Sequence, residues 1–359
     1  LFWRRPERVN YRGRLRDWPA FIAAFLDREQ ITDLILLGEQ RDYHKIAIAA
    51  ARERGIQVVV TDFGYLRPDW ITFEREGMSS HSLFPRDPDA ILALAKQAPS
   101  ADLSRQYQDS FRTMAMWDML YHLANYFFFW LYPNYSSHKE LNPILVYLGT
   151  GLRLLRARFN RKRNARRLDE LQAEGGAYFV FPLQMQYDFQ IRAYSDFEDL
   201  DAAIATVIHS FARNAPADTS LLVKVHPWDP GVRNWRRLVE RLAKDEGIGG
   251  RVLYFDGGDL DAMVHGGRGM VTINSTAGLR ALQLGSPVKV LGQAIYDVPG
   301  LTFQGELDDF WAQPTAPAAS LLAAYIDGMA ATIQIRGVFY NQPGLDNAIA
   351  EAVARLHLD

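Results

Sequence analysis

The stretch LILLGEQRDYHKIAIAAARERGIQVVVT, residues 34–61, decides the fold class. Its first apolar run, from Leu34 to Gly38, is short and ends in glycine, which is typical of a buried strand in a parallel sheet. Helix-forming residues follow from Tyr43 to Arg54, Gly55 ends the helix, and a second strand runs from Ile56 to Thr61. This order predicts a βαβ unit, and therefore a parallel sheet covered by helices.

A second series of strands and helices begins after Gly175 and Gly176. Its predicted strands are Tyr178 to Pro182, Ser220 to Val225, Arg251 to Phe255, Gly269 to Ile273 and Val288 to Leu291, and its predicted helices are Leu200 to Asn214, Asn234 to Asp245 and Thr276 to Leu284. We therefore expect two Rossmann-like halves, the first without its opening strand. Because the chain opens at Leu1 without Met, we also expect further residues upstream.

The length and composition fit two α/β domains. A chain of 359 residues can bury two cores, and 48% hydrophobic with 23% charged residues is ordinary for a globular protein. A formal net charge of -2 argues against general nucleic-acid binding, and the absence of cysteine excludes a disulfide framework or a cysteine-ligated metal site. We expect an N-terminal domain at residues 1–170, a second domain at 175–315 and terminal helices at 316–359.

Residues 111–167 have a different character from the rest of the first half. From Met119 to Tyr135 there is no Asp, Glu, Lys or Arg, and aromatic residues dominate, but Pro133 and other breaks make the stretch too short to span a membrane. A dense basic run follows from Arg153 to Arg167, and it includes Arg161, Lys162, Arg163, Arg166 and Arg167. The aromatic stretch and the basic run together predict an element that lies at an anionic membrane surface. The alternative is an aromatic core helix followed by a solvated charged helix.

Polar residues follow two predicted strands of the second half, where ligands of open α/β sheets bind. Lys224-Val225-His226-Pro227 leaves a histidine at a strand end, where it can donate to a phosphate or act as an acid; otherwise it is a loop histidine. Asn274-Ser275-Thr276-Ala277-Gly278 starts a helix whose N–H groups can bind phosphate or carboxylate, or whose hydroxyls simply cap it.

Carboxylates also follow strands in both halves. Gln184, Gln186 and Asp188 come after the strand at Tyr178, and Asp188 can be a nucleophile, a base or a ribose ligand, or can cap a helix. Glu39 follows the strand at Leu34, where it either projects into a cleft between the domains or favours the start of the next helix.

The chain shows no zinc spacing, Walker loop or nucleophile elbow, and no acidic cluster of the Asp-x-Asp type sits at a strand end of the second half, so we expect no metal cofactor. By contrast, residues 62–74 are too rich in functional side chains for a plain connector.

Three motifs together resemble a known family. They are Phe63-Gly64-Tyr65-Leu66-Arg67-Pro68-Asp69-Trp70-Ile71-Thr72, Lys224-x-His226-Pro227 and Asn274-Ser275-Thr276-x-Gly278. The chain is similar, from about Leu1 to Gly292, to the capsule polysaccharide biosynthesis and export family. Members are β-Kdo transferases that build the lipid-linked Kdo primer of capsules in Gram-negative bacteria. A single set of motifs resembles the initiating, single-module member. The family usually opens with a Gly-rich strand and helix that this chain lacks.

This resemblance implies a fold and a reaction. The fold would be GT-B-like, with two Rossmann-like domains whose parallel sheets face a central cleft. The reaction would be metal-free, retaining transfer of Kdo from CMP-Kdo to lyso-phosphatidylglycerol or a Kdo-lipid primer. The protein would be cytoplasmic, peripheral on the inner membrane, and a partner of other capsule assembly proteins.

The resemblance also implies site roles. Asp188 would match the catalytic aspartate, with His226 and the Ser275-Thr276 pair on the CMP phosphate and the Kdo carboxylate. Glu39 stands where relatives often carry another acid. The other expected residues are Lys224, Pro227, Asn274, Gly278, Gln184 and Gln186 on the donor side, and Tyr65, Arg67 and Asp69 on the acceptor side.

Two other functions are compatible with the same two-domain architecture. A sugar-nucleotide epimerase would have the same two domains but would release free sugar and need no membrane element. A non-catalytic export or scaffold component would have no turnover at all.

Overall fold

The computed structural model describes residues 6–136, 143–185, 191 and 193–356. The strands of this part are β1 (Asp33–Leu37), β2 (Gln57–Phe63), β3 (Trp70–Arg75), β4 (Ala177–Pro182), β5 (Thr219–Lys224), β6 (Val252–Phe255), β7 (Gly269–Thr272), β8 (Val288–Val290) and β9 (Gln334–Arg336). The helices are α1 (Trp18–Arg28), α2 (Asp42–Arg52), α3 (Pro88–Ala95), α4 (Phe111–Phe127), α5 (Pro143–Ala173), α6 (Leu200–Asn214), α7 (Trp235–Asp245), α8 (Leu260–His265), α9 (Thr276–Gln283), α10 (Leu307–Phe310), α11 (Ala319–Thr332) and α12 (Gly344–Leu356).

The chain divides into two compact units. The first comprises Leu1–Leu83, Ser100–Glu140 and Met329–Asp359, and the second comprises Phe84–Pro99 and Leu141–Gly328. This division differs from the domain bounds expected at 170, 175 and 316. One reason is that α5 packs on the second sheet through Leu168, which is buried against Tyr178 and Val180. The other is that β9 pairs with β3 of the first unit.

The first sheet has the strand order β1-β2-β3-β9. β1 and β2 are parallel and are joined through α2, so the predicted βαβ unit is confirmed. Gly55, at φ 66°, ends the connection in the left-handed conformation that favours glycine. β3 and β9 extend the sheet as antiparallel strands, with Thr61 opposite Phe73 and Ile71 opposite Ile335. Neither strand was predicted, because β3 overlaps the segment 62–74, which is rich in functional side chains, and β9 lies in the region expected to be helical.

The second sheet is wholly parallel, in the order β6-β5-β4-β7-β8. All of its strands were predicted to within one or two residues, and α6 was predicted over its full length. Its core is aromatic: Phe179 and Phe181 of β4 pack in one cluster with Phe211 of α6 and with Trp311, all without solvent exposure. The α/β fold expected from the sequence is therefore confirmed, with a doubly wound sheet in the second unit.

A buried ion pair joins β3, β9 and the segment after α3 in the first unit. Arg336 Nη2 lies 3.1 Å from Asp69 Oδ2, and the two side chains are 7% and 1% exposed. The same Asp69 oxygen accepts the N–H groups of Gln106 and Tyr107, each at 2.7 Å. The Arg336 guanidinium donates to the carbonyls of Asp102 and Ser104. One carboxylate and one guanidinium thus hold three chain segments together.

Within the residues that the structure describes, no helix is both long and apolar enough to cross a membrane.

Candidate functional site

The strand order of the second sheet reverses between β4 and β7, and ligands of such sheets bind at the carboxyl ends of the strands at that point. Gln184 and Asn274, each two residues beyond its strand, meet there. Gln184 Nε2 donates to Asn274 Oδ1 at 2.9 Å, and the Asn274 N–H donates to Gln184 Oε1 at 3.1 Å. Both side chains are buried. Their amides connect the ends of β4 and β7. These two expected donor-side residues therefore form the floor of the crevice at the carboxyl ends of the two strands.

The helix that leaves this crevice begins with a hydroxyl cap. Ser275 precedes α9, and its Oγ accepts the N–H of Ala277 at 3.2 Å, so the expected cap is present. Thr276 is the first residue of the helix. Gly278 has a packing role, because a Cβ there would collide with the hydroxyl of Tyr296. The start of α9 therefore offers backbone N–H groups and two hydroxyls at the strand end.

His226 lies just beyond β5, in a neutral form. Burial, followed by the positive charges of Lys224 and Arg153, lowers the pKa of His226 to about 4, so the ring is uncharged at pH 7. Its Nδ1 accepts the N–H of Trp228 at 3.1 Å, and the neutral ring therefore carries its proton on Nε2. This geometry favours hydrogen-bond donation to a phosphate over proton donation from an imidazolium. Pro227, the next residue, is exposed.

Arg153 is a residue of this site that the sequence analysis missed. In the sequence it belongs to the basic run, but its side chain is buried and points from α5 to the His226 loop. Its Nη2 donates to the carbonyls of His226 and Pro227, the latter at 2.9 Å. Its Nη1 lies 3.4 Å from Asp229 Oδ1. Arg153 therefore fixes the loop and places a second positive charge beside Lys224, which is itself buried.

Two of the expected donor-side and catalytic residues, Asp188 and Gln186, lie outside the described part of the chain. Among the residues that are described, no group of three or more His, Asp or Glu side chains is arranged to hold a metal ion, and the expectation that no metal is needed stays a prediction.

In the first unit, Glu39 is buried and paired with a histidine. Its Oε1 lies 3.0 Å from His81 Nδ1, and the two side chains are 6% and 56% exposed. Glu39 Oε2 also accepts the Met78 N–H at 3.3 Å. Arg41, and not Glu39, is the residue that precedes α2, so Glu39 serves the turn at residues 78–81 and not the helix start. A buried carboxylate that orients an exposed imidazole is an arrangement that can move a proton. No local sequence signal links Glu39 with His81.

The three residues expected on the acceptor side differ in exposure. Tyr65 is buried, and its hydroxyl accepts the Ser79 N–H at 3.0 Å. Asp69 is buried in the ion pair with Arg336. Arg67 alone is exposed, with its guanidinium 5.6 Å from the centre of the Phe63 ring. Tyr65 and Asp69 therefore stabilise the first unit, and of the three only Arg67 can meet a ligand in this structure.

The basic run forms the second half of α5, and its five expected membrane residues are exposed: Arg161, Lys162, Arg163, Arg166 and Arg167. One face of the helix packs on the second unit through Arg153, Asn164 and Leu168. Leucine and phenylalanine side chains at helical spacing are more than half exposed: Leu148, Leu152, Leu155 and Phe159. The helix thus presents an apolar stripe that leads into a basic end. In the first unit, α4 and the turn after it also expose large aromatic side chains.

Comparison with known proteins gives similarities in structure and in sequence. Among solved structures, Thermosulfurimonas dismutans KpsC, beta Kdo 2,7 transferase, is similar with a TM-score of 0.43 and 12% identity, over 93% of this chain and 89% of that one.

The sequence relatives are much closer. The chain is 31% identical over 349 residues to the capsule polysaccharide export protein KpsS of Escherichia coli, which covers 95% of this chain and 87% of the relative. It is 34% identical over 337 residues to the capsule polysaccharide modification protein LipB of Neisseria meningitidis serogroup A, over 90% and 78% of the two chains. The model of the capsule polysaccharide biosynthesis protein family matches residues 32–340. The chain therefore belongs to the capsule polysaccharide biosynthesis protein family.

Proposed function

We propose that this protein is a retaining β-Kdo glycosyltransferase that moves Kdo from CMP-Kdo to a lipid acceptor in capsule polysaccharide biosynthesis. The acceptor in this proposal is lyso-phosphatidylglycerol or a Kdo-lipid primer. The observation that carries the proposal is the anion-directed crevice of the second unit. Lys224 and the Nε2–H donor of His226 lie at the end of β5, where Arg153 holds the loop, and the hydroxyl-capped start of α9 lies at the end of β7.

The donor chemistry matches this crevice. CMP-Kdo carries one phosphate and one sugar carboxylate, so two anionic groups must be held in one site. A helix start and charged or polar hydrogen-bond donors such as Lys224 and His226 are devices by which proteins hold such groups. A neutral histidine donor suits a phosphate that must depart with the nucleotide. Asp188 follows β4 in the sequence and is our candidate for the carboxylate that takes the sugar first.

One incubation distinguishes this function from its two rivals. Purified protein is mixed with CMP-Kdo and lyso-phosphatidylglycerol, and the products are separated by mass spectrometry. A Kdo-glycolipid supports the transferase. Free Kdo without glycolipid would instead indicate an epimerase-like enzyme. Unchanged substrates would favour a non-catalytic component, the role suggested by the name of the export protein KpsS.

Donor binding should depend on His226 and on the start of α9. We expect His226→Ala, and separately the double variant Ser275→Ala/Thr276→Ala, to weaken CMP binding about tenfold or more, because a charge-assisted hydrogen bond contributes about 1.5–3 kcal/mol. Isothermal titration calorimetry measures the affinity. His209→Ala is the matched control, since His209 is exposed on α6 and pairs with Glu246. Wild-type affinity in both site variants would show that CMP binds elsewhere.

We further propose that the protein lies on the cytoplasmic face of the inner membrane, beside other capsule assembly proteins, and that α5 makes the contact. Changing Arg161, Lys162, Arg163, Arg166 and Arg167 to Glu should abolish binding to anionic vesicles, because each basic residue near such a surface contributes about 1 kcal/mol. Vesicle co-sedimentation measures this. The same five changes to Gln should give intermediate binding, and zwitterionic vesicles serve as the lipid control. Undiminished sedimentation of the Glu variant would remove α5 from the membrane contact.

A further inference from the structure

Asp256 is an acidic residue at the carboxyl end of β6, next to the loop that holds His226. β5 and β6 are neighbouring parallel strands with Lys224 opposite Phe255, and the Val225 N–H donates to the Phe255 carbonyl at 3.1 Å. Asp256 therefore follows β6 at the level at which Val225 follows β5. Since neighbouring strands lie about 4.8 Å apart, the Asp256 backbone is about one strand spacing from the residue that precedes His226.

The backbone of Asp256 is fixed, whereas its carboxylate is incompletely hydrogen-bonded. The Asn164 side-chain amide donates to the Asp256 carbonyl at 2.9 Å. Asp256 Oδ1 lies 3.7 Å from Arg153 Nε, beyond hydrogen-bond distance, and this buried oxygen has no hydrogen-bond partner among the residues that the structure describes. The side chain as a whole is 18% exposed. Because buried polar atoms are nearly always hydrogen-bonded, this carboxylate can accept a donor that the described chain does not supply.

Two cations lie beside the Asp256 carboxylate. Arg153 is one of them, at the distance given above. Lys224 is the other: burial, followed by the charge of Arg153, lowers the pKa of Lys224, and the charges of Asp259 and Asp256 oppose this shift. Both cations reduce the repulsion between the carboxylate and a phosphate that is bound at His226.

The loop after Asp256 consists of two glycines and a helix cap. Gly257 and Gly258 each adopt φ 99°, in the region that residues with a side chain rarely enter. Asp259 then caps α8, and its carboxylate accepts the Asp261 N–H at 3.0 Å. Asp259 is therefore occupied by the helix, whereas Asp256 is followed by backbone without side chains, which a ligand can approach closely.

The ribose of the donor nucleotide supplies hydrogen-bond donors of the kind that Asp256 can accept. In open α/β sheets, a carboxylate at a strand end beside the phosphate site commonly binds ribose hydroxyls. These hydroxyls lie one sugar ring away from the phosphate of CMP, and Asp256 lies one strand away from the His226 loop. From this placement we infer that Asp256 is the ribose ligand of the donor site and that its carboxylate accepts the 2′- and 3′-hydroxyls of CMP.

This assignment rests on the proposed function in one respect: it takes the phosphate of CMP to be held at His226 and at the start of α9. The alternative is that Asp256 only pairs with Arg153 and thereby supports the His226 loop. The two roles differ in one measurable way. A ribose ligand distinguishes CMP from its deoxy analogues, whereas a supporting residue acts equally on all of them.

The test compares CMP, 2′-deoxy-CMP and 3′-deoxy-CMP by calorimetric titration into the whole protein without acceptor. We expect each deoxy analogue to bind the wild type about tenfold more weakly than CMP, because each lacks a hydrogen bond to a charged group. Equal affinity of the wild type for all three nucleotides would overturn the inference.

Variants of Asp256 locate the preference for ribose. Asp256→Ala should bind all three nucleotides with the same affinity, close to that of the wild type for the deoxy analogues. Asp256→Asn keeps the size of the side chain and one acceptor oxygen, so it should retain part of the preference even if the alanine variant does not fold. Asp245→Ala is the matched control, since Asp245 is exposed at the end of α7, and it should keep the full preference. An undiminished preference for CMP in Asp256→Ala and Asp256→Asn would show that Asp256 only supports the loop.

The outcomes separate this inference from the proposed function. If Kdo is transferred but the Asp256 variants prefer CMP as strongly as the wild type does, the ribose ligand is wrong and the transferase stands. If the preference for ribose depends on Asp256 but no Kdo is transferred, the nucleotide site stands and the transferase fails. If CMP does not bind to the wild type, both are overturned.

Discussion

Asp188→Ala should keep the affinity of the protein for CMP and lose turnover by roughly three orders of magnitude or more, as losses of an essential nucleophile do. Retention of configuration can be achieved by two displacements, in which an enzyme carboxylate first takes the sugar from CMP and then yields it to the acceptor hydroxyl. The first step forms a bond from the carboxylate oxygen to the anomeric carbon of Kdo while the bond to the CMP phosphate breaks. Steady-state transfer of Kdo, followed by mass spectrometry, measures the loss.

The control for Asp188→Ala is a second substitution at the same residue, Asp188→Asn. Asp188→Asn keeps the size of the side chain and its ability to cap a helix or to bind a ribose hydroxyl, but removes the nucleophilic charge. If Asp188 is the nucleophile, this variant is as inactive as Asp188→Ala, and wild-type protein given CMP-Kdo without acceptor carries a Kdo adduct on the peptide that contains residue 188. Robust transfer by Asp188→Asn would contradict the assignment.

Arg336→Met should lower the free energy of unfolding of the first unit by about 3–5 kcal/mol, because it leaves the Asp69 carboxylate buried with two backbone N–H donors but without its cation. Asp69 is 1% exposed and cannot recover hydration in the folded state. The variant also loses the guanidinium contact with the Trp70 ring, whose centre lies 4.7 Å away. Urea unfolding measures the change, and hydrogen exchange in β3 and β9 identifies the unit that opens.

Two further variants measure how much of the loss comes from the buried ion pair between Asp69 and Arg336. Arg28→Met removes an exposed partner of Glu29 and should cost no more than about 1 kcal/mol. The double variant Asp69→Asn/Arg336→Met should be more stable than Arg336→Met, because it no longer buries a lone carboxylate. An equal loss in Arg28→Met and Arg336→Met would show that burial of the pair is energetically unimportant.

The sequence predicts the second sheet well and the first sheet only in part, for a physical reason. The three central strands β4, β5 and β7 are almost wholly buried, and strands that are buried on both faces are typically continuous apolar runs. β9 is three residues long, with polar Gln334 and Arg336 at its ends, and its partner β3 is distant in the chain. No local pattern distinguishes such a strand from a helix or a loop.

The residues of the candidate site also divide into those that the local sequence predicts and those that it does not. Ser275 as a helix cap followed from its place between a strand and a helix, and the structure confirms the cap. Arg153 and the pair of Glu39 with His81 depend on tertiary contacts. In the sequence, Arg153 is one basic residue in a run of them. Tyr65 and Asp69 were expected to bind a ligand, but both are buried. The residue type alone does not distinguish a buried carboxylate or phenol that stabilises the fold from an exposed one that binds a ligand.

The late position of β9 also sets the order in which the protein can be built. During synthesis β1, β2 and β3 leave the ribosome early, and β9 follows roughly 260 residues after β3. At about 5–20 residues per second, this spacing is a delay on the order of 10–50 s. All strands of the second sheet leave the ribosome within that interval. The unit that holds β1 is therefore the second to be completed, and β3 presents an unpaired edge to the nascent chain's surroundings until β9 arrives.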